Sequence, residues 1–264
     1  MNLKQLINKS VYGTIGYISS QDDLDKLEQY ILYNLPVLKE YKKIVTAINY
    51  SDIKLAIAHN QLWLKYFSDC NYINNPINRG HNFGTADLDS ILFDYCKLKN
   101  EEWLCKSDHD IILQESILDK EIDKADFYYM NGIGVGGMVK YDFDFNRIIN
   151  EDFYPQSNFY FINVNKTDYL NNKEYLDKTY EYIQTVGNYN GKIWEYIQGW
   201  SCEDFLKQCV ERNKLSKLHL VSQENYLILL ELIKSHNIHD SSHKNIMIEG
   251  VCHFQYPEQQ TIEI

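Results

Sequence analysis

Proline is scarce in this 264-residue chain, which has only four. No Pro-rich linker divides it, and no internal repeat or low-complexity segment interrupts it. Long apolar runs are missing as well. No window approaches the ~18 uncharged apolar residues of a membrane-crossing helix, and the opening MNLKQLINKSVYG lacks the apolar stretch of a secretory leader. The expectation is a protein that stays where it is made, in the cytoplasm. Basic blocks are absent too. Lys plus Arg number 26 against 37 Asp plus Glu, a net charge of -11, so nucleic acid is not an expected partner. A chain this acidic repels a nucleotide diphosphate unless cations mediate the contact. Cys70, Cys96, Cys105, Cys202, Cys209 and Cys252 form no C-x-x-C pair, which argues against a zinc site or a disulfide framework. They read as reduced, mostly buried thiols.

What is there suits one large α/β domain. The apolar fraction of 44% and charged fraction of 24% are those of an ordinary globular protein. The 22 tyrosines suit stacking on sugar rings, although composition alone is weak evidence. Residues 20–33 predict a helix, opened by a Ser20/Asp23 capping box with Leu24, Leu27 and Ile31 on one face. KIVTAIN at 43–49 predicts a buried strand. Ser51 is expected to cap a helix that buries Ile53, Ala56, Ile57, Trp63, Leu64 and Phe67. An extended CNYINNP follows, then a loop INRGHNFG, then a helix starting at Thr85. EWLCK at 102–106 predicts a strand ending in SDHD. Strand, helix, strand, helix, strand is the doubly wound pattern with a parallel sheet. Later, NFYFINV at 158–164 and KLHLV at 217–221 predict strands, and 203–211 a short helix.

Four constellations could carry chemistry. D-x-D occurs as Asp23/Asp25, Asp87/Asp89, Asp108/Asp110 and Asp142/Asp144, and only Asp108/Asp110 directly follows a predicted buried strand. Ligands of open α/β sheets bind outside the carboxyl ends of strands. Two carboxylates there can share a divalent cation with a diphosphate; the alternative is a solvated turn. Asn78-Arg79-Gly80-His81-Asn82-Phe83-Gly84 precedes a helix N-terminus, which attracts anions, and Arg79 adds a donor fork; the same glycines also suit an ordinary β-to-α turn. Gly132-Ile-Gly134-Val-Gly136-Gly137 matches G-x-G-x-x-G, but MVKYDFDF after it has no helical period, so it predicts a loop beside a ligand and not a dinucleotide fold. In the tail, His243 or His253 could fill an open metal position, and a lone histidine is equally a structural residue.

In this order the pieces resemble GT-A glycosyltransferases. KIVTAIN resembles their first nucleotide-binding strand, NRGHNFGTADLDSILFDYCK their N-x-G segment and helix, and EWLCKSDHDIIL the strand and D-x-D turn. GWSCEDFL resembles the late acidic element that holds the base of inverting members, and SSHKN or VCHF the C-terminal histidine of the metal shell. The resemblance implies a Rossmann-like mixed sheet, mainly parallel and flanked by helices. It implies one domain over 41–264, with a nucleotide-sugar half at 41–115 and an acceptor half at 116–264. Residues 1–40 have no counterpart and are expected to be an extension packed on it.

The implied activity is transfer of a sugar from a nucleotide sugar, most often of uridine diphosphate, to a hydroxyl of a glycan, lipid or protein. Thr46, Asn49, Asn78 and Arg79 would surround the nucleotide, with Asp108 reaching it through the metal. Asp108, Asp110 and His243 would hold Mn²⁺ or Mg²⁺, with His253 the other candidate. Asp204 would be the base, with Glu203 beside it; Asp204 could instead cap its own helix from Ser201 spacing. Two other functions compete. A sugar nucleotidyltransferase usually carries a glycine- and basic-rich loop where Asn49-Tyr50-Ser51-Asp52 stands here. A non-catalytic sugar-binding protein could share the fold.

Overall fold

The computed structural model describes residues 1–130, 139–142, 147–150, 155, 157–168, 202–222, 245–253 and 261–263, with single residues at 174, 177, 178, 180, 181, 224, 225 and 228. The strands are β1 (Ser10–Ile18), β2 (Lys43–Tyr50), β3 (Asn71–Asn75), β4 (Trp103–Asp108), β5 (Ile111–Leu113), β6 (Phe127–Tyr129), β7 (Val139–Asp142), β8 (Arg147–Asn150), β9 (Phe159–Asn163), β10 (Lys217–His219), β11 (Asn245–Ile248), β12 (Val251–His253) and β13 (Thr261–Glu263). The helices are α1 (Leu3–Ile7), α2 (Gln21–Leu38), α3 (Ile53–Tyr66), α4 (His81–Leu98) and α5 (Cys202–Arg212).

Seven strands form the main sheet in the order β10-β6-β9-β4-β1-β2-β3. The neighbours are parallel except β9, which runs antiparallel to both β4 and β6. This is the mixed, mainly parallel α/β sheet flanked by helices that the sequence predicts. A second sheet, β13-β11-β12-β5, starts where β4 turns into β5, and β7 pairs with β8.

The sheet separates two cores. Tyr12 of β1 packs with Leu27 and Ile31 of α2 and Trp63 of α3. Val11 and Ile15 pack with Leu92 and Phe93 of α4 and Leu206 and Cys209 of α5. The alternation along β1 sends successive side chains to opposite faces. Each such fully buried aliphatic side chain contributes roughly 1.5–3 kcal/mol.

Residues 1–40 are not an extension. They supply β1, which lies between β2 and β4, together with the first flanking helix. Glycines at 13 and 16 of β1 both mark close approach. A Cβ on Gly13 would lie 2.7 Å from Leu104 and 2.8 Å from Leu92.

Two further expectations shift. Asp52, not Ser51, caps α3, accepting from the Lys54 N–H at 2.7 Å, while the Ser51 hydroxyl donates to the Ser19 carbonyl. The buried face of α3 holds Ala56, His59, Asn60 and Trp63, whereas Ile53, Ile57 and Leu64 are exposed. The Ser20/Asp23 capping box of α2 is present as predicted. All six cysteines are free and buried. No helix among the described residues is long and apolar enough to cross a membrane.

Candidate functional site

β1, β2, β3 and β4 are parallel, so their carboxyl ends share one edge, and a cleft of about 790 Å³ opens there. Its walls are the end of β1, the first turns of α2 and α4, and the turn Asp108-His109-Asp110. Of the predicted residues, Asn49, Asn78, Asp108 and Asp110 come together in this cleft. Asp23 and Lys26 of α2 also line it. The Asp23 carboxylate accepts from the Ser19 and Ser20 backbone N–H groups at 2.8 and 2.9 Å. Burial opposes its charge, but those bonds outweigh burial and hold its pKa below the ordinary value.

The acidic turn is anchored on both sides of the sheet. On the α2/α3 side, the half-buried His109 ring sits over Gly16, where a Cβ would fall 2.1 Å from Nδ1 and Cε1. Only glycine leaves room for that ring. His109 also stacks on His59 at 5.7 Å between centroids. Burial pushes the His109 pKa down to about 4 and that of His59 to about 3, so both rings are neutral at pH 7. Beside them, buried Asn34 of α2 donates to the Ile111 carbonyl at 2.7 Å and accepts from the Leu113 N–H at 2.6 Å. A helix side chain thereby replaces a neighbouring strand for β5.

On the α4/α5 side stands Lys106, fully buried in β4. Its Nζ lies 2.5 Å from Asp108 Oδ1 and 3.7 Å from Asp89 Oδ1, and it donates to the Ser157 carbonyl. Burial works against its charge, but Asp108 and Asp89 prevail and raise its pKa above the ordinary lysine value. Asp89 is pushed up to about 7 by burial, with Lys106 opposing the shift. A buried cation with several acceptors is the tolerable form of an internal charge.

The loop after β3 is set by amides. Asn49 donates to the Asn75 and Ile77 carbonyls at 3.1 and 2.7 Å, and the Asn78 side chain accepts from the Gly80 N–H at 2.9 Å. Gly80, with φ of 86°, caps α4 directly, so that helix starts at His81 and not at Thr85. Two residues expected around the nucleotide are placed away from the cleft wall. Thr46 is fully buried within β2 and does not line the cleft, because the strand alternation turns it inward. Arg79 does not line it either. Its guanidinium forks onto Asp87, with Nε to Oδ2 at 2.6 Å, reaches Asp177 at 2.9 Å and covers the Tyr180 ring at 4.6 Å. Asp87 foremost holds its pKa above the ordinary arginine value.

Glu203, in the first turn of α5, accepts from the Ser157 hydroxyl at 2.7 Å and from the Cys202 thiol at 3.3 Å. It is not among the residues lining the cleft. The side chain of Asp204, the glycine loop Gly132–Gly137 and His243 lie outside the described residues. β12 pairs antiparallel with β5 so that the His253 backbone is opposite Ile111, the residue after Asp110.

Among the described residues no three His, Cys, Asp or Glu side chains group as a ready metal site. The donor set still fits a hard divalent cation. Asp108 and Asp110 bring carboxylate oxygens to an open cleft, where diphosphate and water oxygens can complete the shell.

No family model matches the sequence, and no curated protein matches it. Solved structures similar in backbone include two glycosyltransferases. One is the galactosyltransferase LgtC in complex with donor and acceptor sugar analogs, with a TM-score of 0.48 and 10% identity over 94% of this chain and 88% of that one. The other is the glycosyltransferase GlyE of Streptococcus pneumoniae TIGR4, with a TM-score of 0.46 and 11% identity over 96% of this chain and 57% of that one. Both are glycosyltransferases. Likeness this distant transfers no residue roles, and the site has to be argued from its own geometry.

Lys106 and Asp89 are the residues that sequence reasoning missed. A signal was available: a lysine inside a strand predicted to be buried needs a buried acid. T-A-D-L-D reads as surface on a helix, yet Asp87 and Asp89 are both buried and serve different cations, Arg79 and Lys106.

Proposed function

We propose that the protein is a metal-dependent glycosyltransferase that moves a sugar from a uridine diphosphate sugar to a hydroxyl of a glycan, lipid or protein. The observation that carries this reading is the pair Asp108 and Asp110 at the carboxyl end of β4, facing a cleft over four parallel strand ends. Acidic residues in an already acidic protein disfavour a bare diphosphate and favour one that arrives with a cation.

Asp108 and Asp110 would hold Mn²⁺ or Mg²⁺, with His243 or His253 as the third ligand. Held there, the ion would supply positive charge against the charge gathering on the leaving diphosphate. Asn49 and Asn78 contact the nucleotide while fixing the loop beneath it. Thr46 and Arg79 act from behind, through strand packing and loop position. The donor lies against 41–115 together with β1, and the acceptor against 116–264. A carboxylate near the start of α5 takes the proton of the acceptor hydroxyl as the sugar carbon is attacked. Glu203 is already engaged by Ser157 and Cys202, which supports Asp204 for that role.

The test is release of nucleoside diphosphate from a panel of nucleotide sugars with Mn²⁺. Asp108→Asn and Asp110→Asn should each lower turnover ~10²-fold or more and remove the benefit of added Mn²⁺. Wild-type Mn²⁺ dependence in both variants would reject the reading.

A further inference from the structure

Lys106 cannot touch a substrate, because it is fully buried. It acts on whatever Asp108 holds. Its ammonium sits 2.5 Å from Asp108 Oδ1, while the Asp108 side chain keeps 29% exposure at the cleft wall. The carboxylate thus has an internal cation on its sealed side and the cleft on its open side. We infer that Lys106 is a positioning residue that makes metal binding depend on the nucleotide: it supplies Asp108 with a resident counter-charge that keeps the empty turn from capturing a free divalent cation.

The inference rests on the metal reading above, and its argument is charge counting. At pH 6, where burial keeps Asp89 largely protonated, Asp108 and Asp110 carry two negative charges and Lys106 returns one positive. A dication entering alone meets a net single negative charge, with an ammonium a few ångströms behind it. A nucleoside diphosphate adds further negative charge on the cleft side, which restores the attraction. Metal and nucleotide should therefore bind with positive coupling, and linkage requires each to tighten the other equally. Lys106 does not simply leave when the ion arrives. The Ser157 carbonyl and Asp89 hold its Nζ from other directions, so the repulsion is built into the fold.

The experiment measures Mn²⁺ binding to the whole protein at pH 6 by electron paramagnetic resonance of the free ion, with and without UDP. In the wild type, UDP should tighten Mn²⁺ at least ~10-fold, by the Coulomb scale of a neighbouring unit charge. The variant to compare is Lys106→Met combined with Asp89→Asn, which removes the second buried carboxylate that Lys106 serves. It should bind Mn²⁺ alone ~10-fold more tightly than the wild type, with a smaller gain from UDP. Lys106→Arg keeps the charge and should retain wild-type coupling. A merely structural lysine predicts the opposite sign, weaker Mn²⁺ binding in the double variant, and that result would overturn the inference. So would a wild type in which UDP changes Mn²⁺ affinity less than twofold, a measurement that needs no variant to fold. Asp108→Asn separates the two levels. If it leaves Mn²⁺–UDP binding unchanged, the metal reading falls and this inference with it. If it weakens that binding while the Lys106 variant shows no gain, only the role of Lys106 falls.

Discussion

The turn Asp108–Asp110 is gripped from the two faces of one sheet by opposite means. Under the α2/α3 layer the grip is neutral: His109 fills the space that Gly16 leaves open and stacks on His59. Under the α4/α5 layer it is ionic: Lys106 ties Asp108 to Asp89 and the Ser157 carbonyl. A neutral anchor depends on shape and fails when volume is added. An ionic anchor depends on complete pairing and fails when one partner is removed. The same three residues are thereby held by two independent tolerances.

The largest effect should come from the neutral face. Gly16→Ala puts a methyl where the His109 ring lies and should cost roughly 3 kcal/mol, the upper end for overpacking. In a His109→Ala background most of that cost should vanish, as expected for two groups competing for one space. Additive costs in chemical denaturation would mean that the ring simply moves aside.

Acidity should separate the two faces next. His59 titrates near 3 when folded, against an ordinary 6.5. Between those values the unfolded chain takes up a proton that the native state refuses, so stability falls as pH falls. Asp89 runs the other way. It titrates near 7 when folded, against an ordinary 3.8, so the native state keeps a proton that the unfolded chain loses, and stability falls as pH rises through that window. Each slope is at most about 1.4 kcal/mol per pH unit. His59→Gln should flatten the acid limb and Asp89→Asn the neutral limb. Denaturation midpoints across pH 4–8 would read both, and a variant that flattened the wrong limb would refute the pairing of face with sign.

The smallest effect sharpens the contrast from outside the turn. Arg79→Ala should change UDP affinity by less than about threefold, because Asp87 and Asp177 already occupy its guanidinium. A large loss of affinity in calorimetry would return Arg79 to the nucleotide site.

These features divide by how they were written in the sequence. Local periodicity made α2, β2, β4 and β9 readable, because each carries a regular apolar pattern bounded by a cap or a turn. The acidic turn was readable because it follows such a strand. β1 was not, since Gly13 and Gly16 interrupt its apolar pattern where Leu104 and His109 press against the strand. The buried face of α3 misled for a similar reason: His59 and Asn60 are polar residues inside, and apolar Ile53 and Ile57 lie outside. Arg79 reads as an open anion fork until Asp87, eight residues later on α4, is seen pairing with it. Pairings across distance are what one-dimensional patterns omit, and they decide which residues of this cleft are available.

The early position of β1 bears on how the chain is made. Both strands that flank it are synthesised after it: it pairs with β2 some thirty residues later but with β4 only after about ninety. On a ribosome the first βαβ unit, β1-α2-β2, can assemble while the other edge of β1 still waits, an exposed row of backbone donors and acceptors. That edge is closed only when Lys106 and the acidic turn have emerged. Completion of the candidate site and protection of the nascent sheet from misassembly are then one event, and slow translation between residues 50 and 103 would prolong the vulnerable interval.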